Sequence, residues 1–149
     1  GRGFAHEPYF PGTNIDRHKV LHRIYSDYLG AKRAFEMAGM TPADIGIFEL
    51  HDAFAAQLMI TVAEFGFVPL GQANRTLDIM SKGTPFINLS GGLIFGGHFV
   101  GGSNIFSLWS CRREMLKRGI ANGMIHGTGA SLAQYTGAWI VQQDERRAA

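Results

Sequence analysis

The chain has 149 residues, 46% hydrophobic and 17% charged, enough for one domain with a real core and far from a disordered composition. A net charge of +2 is too small to argue for nucleic acid, the pI of 8.9 is at most a weak pull toward an anionic ligand, and there is neither a membrane-length apolar run nor a signal-peptide pattern. The single cysteine, Cys111, excludes an internal disulfide and a cysteine-rich zinc site and suits a reducing, cytoplasmic setting.

Gly1 to Ala5 reads as the end of a strand, and the missing initial methionine suggests a processed or trimmed chain that something preceded. His6 to His18, with Pro8, Pro11, Gly12 and Asn14, is a connecting loop. A helix is expected from about Leu21 to Met40, with Tyr28, Ala31, Phe35 and Ala38 on its buried face and Gly39 at its end. Thr41-Pro42-Ala43-Asp44 has the cap and first-position proline of a short helical turn. Ile45 to Leu50 is nearly all apolar, as a strand buried on both faces would be. A second helix follows from about Asp52 to Phe65, with Phe54, Leu58, Val62 and Phe65 inward.

Pro69 to Thr84 reads as a polar loop and Pro85 to Leu89 as a short strand. Gly91 to Gly102 is read as a glycine-rich loop with special backbone angles. A third helix is expected from about Ser103 to Lys117, with Ile105, Leu108, Trp109 and Leu116 inward and a basic end suited to the helix dipole. Two strands, Gly123 to His126 and Ala133 to Gln142, close the chain, and the last seven residues form a polar, fraying tail. Strands alternating with helices imply an α/β fold. The divisions are residues 1–19 (strand and loop), 20–142 (the domain) and 143–149 (tail).

Three turns can carry chemistry. His51-Asp52-Ala53-Phe54 lies where a buried strand hands over to a helix, the end of an open α/β sheet that faces the usual ligand crevice. The plainer reading has Asp52 capping the helix and His51 as a hydrogen-bonded core histidine. Gly96-Gly97-His98-Phe99 can hold an imidazole rigidly, where it could polarise a thioester carbonyl or take a proton from a thiol. The plainer reading is a connector before the third helix. His126-Gly127-Thr128-Gly129-Ala130-Ser131 could form an anion-binding nest at residues 128–130, or simply turn between adjacent strands. Cys111 favours a structural thiol, although nearby arginines could lower its pKa. Arg112, Arg113, Lys117 and Arg118 suit a solvated helix face better than a phosphate site.

In this order the turns resemble the C-terminal half of a thiolase. Ala34 to Ile45 resembles the helix-to-strand passage that precedes the family's Asn-Glu-Ala-Phe motif, which reads His-Asp-Cys-Phe in the sterol-carrier-protein branch and His51-Asp52-Ala53-Phe54 here. Asn88 to Gly92 and Gly97-His98 resemble its Gly-Gly and Gly-His-Pro block, with Phe99 in place of the proline. The resemblance covers about residues 20–142. It implies a mixed five-stranded sheet covered by helices, and acyl transfer between a 3-oxoacyl-CoA and coenzyme A, the acyl-CoA being substrate, with no metal and no tightly bound cofactor. The cysteine nucleophile would come from an N-terminal thiolase half, on the same or a separate chain, within a homo- or hetero-oligomer.

Carried over, His98 activates that cysteine and donates to the thioester oxygen, His51 helps build the same oxyanion site, and Gly129 matches the glycine of the Cys-x-Gly motif, whose N–H serves a second one. Gly97 is a further backbone candidate. Both acid/base cysteines are missing: their places fall on Gly127 and Ala53. His126 and Tyr135 are candidates for the acid/base role. Aldolase-type cleavage of a hydroxyacyl-CoA, or acyl-CoA or lipid binding without catalysis, are the alternatives.

Overall fold

The computed structural model describes residues 1–6, 23–129 and 135–143. Its order is β1 (Arg2–His6), α1 (Tyr25–Ala38), β2 (Ile47–Glu49), α2 (Ala55–Glu64), α3 (Thr76–Lys82), β3 (Phe86–Ile87), α4 (Gly92–Gly96), α5 (Ser103–Arg118), β4 (Asn122–Gly129) and β5 (Tyr135–Gln142). The strands form one mixed sheet in the order β1-β5-β4-β2-β3. β3, β2 and β4 run parallel, with Phe48 opposite both Ile87 and Met124, while β5 and β1 pair antiparallel at the other side. The expected α/β fold with a mixed five-stranded sheet is thus present. The loop expected at residues 7–18 and the tail from residue 144 lie outside the described residues.

The period-two alternation of the strands divides the core between the two faces of the sheet. Phe48, Leu50, Met124, Ala138 and Ile140 pack with Ala31, Ala34 and Phe35 of α1 and Leu58, Val62 and Ala63 of α2. Ile47 and Ile125 point the other way and pack with Cys111 and Met115 of α5. β2 is buried along its whole length, as its apolar run predicts. The capped turn Pro42–Asp44 is also as expected: Asp44 accepts the Thr41 N–H and hydroxyl at 2.7 and 2.8 Å.

Four expectations fail. The segment from Pro69 to Thr84 contains α3, a helix too short and too polar for an apolar stripe to reveal it, closed by Gly83 at φ 69°. The glycine-rich stretch contains α4. Phe54 is 73% exposed, because it stands before the first turn of α2 and outside its buried stripe. In α5, Ile105, Leu108, Trp109 and Leu116 all face outward, and the inner face is Ser103, Ser107, Ser110, Cys111, Glu114 and Met115. Small side chains face the sheet there because β4 meets α5 through glycine. A Cβ on Gly123 would stand 2.5 Å from Cys111 Sγ and 2.7 Å from Met115 Sδ.

A buried polar cluster joins four elements on the opposite face. Asp27, fully buried on α1, accepts hydrogen bonds from Thr61 of α2 (2.6 Å), Thr136 of β5 (2.6 Å) and His126 Nε2 of β4 (3.0 Å). It explains why the buried face of α1 includes Asp27 and Ala34; Tyr28, also expected on that face, is instead exposed. Burial alone would raise the Asp27 pKa, but the His126 imidazole and the two hydroxyls outweigh it and hold the carboxyl below its ordinary range.

Asp27→Ala strands three donors in a dry core. It should cost about 3 kcal/mol in chemical denaturation; a loss within ~0.5 kcal/mol would show that the cluster does not hold the helices to the sheet. Gly123→Ala should cost roughly 1–3 kcal/mol by forcing α5 away from β4, read as a lower melting temperature.

Candidate active site at the carboxyl ends of the parallel strands

The three parallel strands end on the same side of the sheet, and the candidate residues gather there. Beyond β3, Asn88 adopts φ 51° and turns its amide onto β2: Oδ1 accepts the Leu50 N–H at 2.6 Å and Nδ2 donates to the Leu50 carbonyl at 3.0 Å. A side chain thereby continues the ladder that the backbone has left, and it fixes the approach to His51. Ser90 donates its backbone N–H (3.1 Å) and hydroxyl (2.5 Å) to the buried Glu49 carboxylate. Burial raises the Glu49 pKa, and the Ser90 hydrogen bonds oppose that rise.

His51 is buried at the end of β2. Its backbone N–H donates to His126 Nδ1 at 3.3 Å. His126 is therefore engaged at both nitrogens, Nε2 toward Asp27 and Nδ1 toward the His51 N–H. It has no ring nitrogen left to serve a substrate, which corrects the expectation of a free acid/base group. Asp52 does not cap α2. It accepts the Leu93 N–H at 2.6 Å, and a Cβ on Gly92 would lie 2.0 Å from its carboxylate. Burial pushes the His51 pKa down to about 4, helped by His126 and His98.

His98 follows Gly97, whose φ of 89° and ψ of 151° only glycine adopts readily. The Gly97 N–H is already given to the Leu93 carbonyl at 3.0 Å, so Gly97 supplies the turn and not a free oxyanion donor. The His98 ring meets the His51 ring edge to face, with centroids 5.1 Å apart. Its Nδ1 lies 3.0 Å from Ser103 Oγ, and that hydroxyl donates to the Phe99 carbonyl at 2.9 Å. Ser103 thereby anchors the Nδ1 side of the ring and leaves Nε2 uncommitted at the exposed edge of the site. A histidine anchored at Nδ1 can accept a proton at Nε2 from a thiol or a hydroxyl.

Gly127, Gly129 and Tyr135 line a groove of about 580 Å³ beside α5, with Asn104, Arg33 and Trp139 among its other walls. Gly129 and Tyr135 are paired in the β4–β5 ladder. Thr128 and Gly129 are therefore strand residues, and Ala130, the rest of the expected nest, is outside the described residues. Cys111 lies buried under α5, where burial pushes its thiol up to about 12, so it is inert at neutral pH. Among the basic residues, Arg113 and Arg118 both pair with Glu114. No metal-binding group of three side chains forms among the described residues. Sequence reading took Asn88 only as part of a motif and missed Ser103, Asn104 and Asp27. Only Ser103 carried a signal, a hydroxyl at the first position of a helix five residues after the histidine.

Because the fold disfavours a proton on His51, the unfolded chain binds more protons below its ordinary pKa of 6.5. The stabilisation from its neutral ring is complete above pH 6.5, declines as pH falls and levels off near pH 4. The neighbouring His98, His126 and Asp27 are common to both proteins in the comparison. His51→Gln should flatten the denaturation free energy across this window; superimposable pH profiles would mean that the ring is not held neutral.

Residues 25–144 match the family described as thiolase C-terminal domain-like. The chain is 37% identical to an acetyl-CoA acetyltransferase of Methanothermobacter thermautotrophicus, over 79% of this chain and 34% of that protein. It is 35% identical to bovine sterol carrier protein 2, over 64% of this chain and 19% of the relative. The solved Ltp2-ChsH2(DUF35) aldolase superposes with a TM-score of 0.72 at 20% identity, covering 96% of this chain and 39% of that one, which shows a shared fold. The chain thus spans about a third of the acetyltransferase and about a fifth of the carrier protein. No helix of the described residues is long and apolar enough to cross a membrane. With most of its length matched, and with the histidine turns in the family's order, this chain belongs to the thiolase C-terminal domain-like family.

Proposed function

We propose that this chain supplies the histidine half of an acyl-CoA active site that makes or breaks a carbon–carbon bond next to the thioester. The observation that carries this reading is the anchoring of His98: Ser103 Oγ holds Nδ1 at 3.0 Å and leaves Nε2 uncommitted beside the neutral ring of His51. The acetyltransferase among the relatives supports thiolytic acyl transfer. In that chemistry His98 Nε2 takes the proton of a cysteine thiol on an N-terminal half. The thiolate attacks the C3 carbonyl of a 3-oxoacyl-CoA, and the C2–C3 bond breaks. The acyl group stays on sulfur, and the acetyl-CoA enolate takes a proton at C2. Coenzyme A then collects the acyl group. On this reading His51 and Gly129 assist the two oxyanions.

A second reading rests on the thiols. Gly127 and Ala53 provide none, and Cys111 is buried and inert. Retro-aldol cleavage of a 3-hydroxyacyl-CoA needs a single base. His98 Nε2 removes the hydroxyl proton, a carbonyl forms at C3 and the C2–C3 bond breaks. The electron pair passes to the thioester enolate, which recovers the proton at C2. This demands only what the site contains, and a fold neighbour described as an aldolase is consistent with it.

The surface beside the site supports a partner half. Ile94, Phe95, Phe99 and Val100 around His98 are all at least half exposed, as are Ile105, Trp109 and Leu116 along α5. The rings of Phe99, Phe106 and Trp109 follow one another at 6.0 Å spacing. An exposed apolar face of this kind marks an interaction surface.

In the full protein that carries this chain, product analysis with 3-oxoacyl-CoA plus coenzyme A, and separately with 3-hydroxyacyl-CoA, should show turnover of one of them. His98→Ala should reduce it at least ~100-fold. Turnover unaffected by His98→Ala would remove the base assignment; binding of both without turnover would move the protein to the non-catalytic, acyl-CoA-binding class.

A further inference from the structure

The side chain that stands over Gly127 is Asn104, the second residue of α5. An ideal Cβ at Gly127 would lie 2.2 Å from Asn104 Oδ1, 2.3 Å from Nδ2 and 2.6 Å from Cγ. The whole carboxamide thus occupies the space that any larger residue at 127 would fill. The two positions are coupled: Asn104 fits because residue 127 is glycine.

The carboxamide is half-buried, yet it has no hydrogen-bond partner among the described residues. Its neighbour Ser103 behaves differently, engaged with His98 Nδ1 and with the Phe99 carbonyl. One rigid helix start therefore presents two adjacent polar side chains, one locked onto the base and one with its donors and acceptor uncommitted. Asn104 forms part of the wall of the groove of about 580 Å³, where backbone is bare at Gly129 while Gly127 lies under the Asn104 amide and Gly137 under the Trp139 ring. Trp139 and Phe4, packed edge to face at 5.4 Å, make an apolar wall. Such a groove suits a mainly apolar chain carrying a neutral oxygen near one end, and the only requirement on that oxygen is that it can accept or donate a hydrogen bond. A carboxamide does both and transfers no proton at neutral pH.

We propose that Asn104, seated over Gly127, is a specificity-determining residue that hydrogen-bonds the C3 oxygen of the bound acyl thioester. This rests on the acyl-CoA reading above and adds the group that recognises oxygenation at C3. A site built to bond a substrate oxygen rejects the analogue lacking it, because the protein's own polar group is left unpaired. Asn104 also separates roles at the site: His98 moves the proton, and Asn104 holds the oxygen without competing for it.

The test is calorimetric binding to the full protein of two acyl-CoAs of equal chain length, one with a 3-hydroxyl and one saturated. The intact protein should prefer the 3-hydroxyacyl-CoA, and Asn104→Ala should cut that preference about tenfold while leaving the saturated acyl-CoA within about twofold, the worth of one net hydrogen bond. Asn104→Gln, which keeps the amide, should restore part of the preference. Gly127→Ala, which displaces the amide and leaves Asn104 in the sequence, should lose it as Asn104→Ala does. Equal weakening of both ligands by Asn104→Ala would make the residue structural and overturn the proposal. So would an unchanged preference. If the intact protein binds neither acyl-CoA, the acyl-CoA reading itself fails; if it binds both equally, that reading stands and only the role of Asn104 falls.

Discussion

The Asp27–His126 hydrogen bond is the constraint on which the rest of this structure depends. A fully buried carboxylate is tolerable only when its oxygens are satisfied, and here three donors from three different elements satisfy it. Each donor ties an element down: Thr61 brings α2, Thr136 brings β5 and His126 brings β4. The contact continues past Asp27. With its Nε2–H turned to the carboxylate, His126 must offer a lone pair at Nδ1, and the His51 N–H takes it. The position of the backbone at the end of β2 is thus set by an acid two layers away. A polar cluster of this kind is costly unless complete, which gives the fold one arrangement rather than several.

On the opposite face the governing constraint is steric. α5 approaches β4 where the strand has Gly123 and Gly127, and it does so with serine, cysteine and methionine. That close seam frees the large apolar side chains of α5 to face outward, and it seats Ser103 and Asn104 at the site end of the helix. The apolar surface and the placement of the candidate polar groups are two consequences of one packing choice.

This logic also explains what was legible in the sequence. β2 was readable because a strand buried on both faces has few alternatives to an apolar run. The turn at Pro42 was readable because its cap and proline are local chemistry. The histidines His51 and His98 were found by their motifs, and they come together with ring centroids 5.1 Å apart. The facing of α5 was misread because its apolar residues were assigned to this chain's own core; an apolar stripe reports burial against something, and the partner need not lie within the domain. Asp27 was invisible for the complementary reason. An acid in a helix reads as solvent-facing until a histidine 99 residues away is known to stand opposite it. Asn104 could not be found because its meaning depends on a glycine in another element.

The two histidines divide the chemistry by what surrounds them. His51 is buried, next to two other imidazoles, so a positive charge on it is unfavourable and its ring stays neutral. His98 stands at the exposed edge, its Nδ1 side committed to Ser103 and its Nε2 side open. Under the proposed reading a transient proton belongs on His98, where solvent and a developing anion can stabilise it, and His51 contributes shape and a neutral polar edge. Such an arrangement needs a reacting group delivered from outside the domain. The exposed apolar residues around His98 leave the side from which it would arrive uncovered. If that group is a thiol, the absence of a second thiol leaves His98 to serve both the nucleophile and the carbon acid, two protons at different atoms. If the reacting group is the substrate's own C3 hydroxyl, one base is sufficient. The two proposed readings part at positions 53 and 127, at which no side chain can carry a proton.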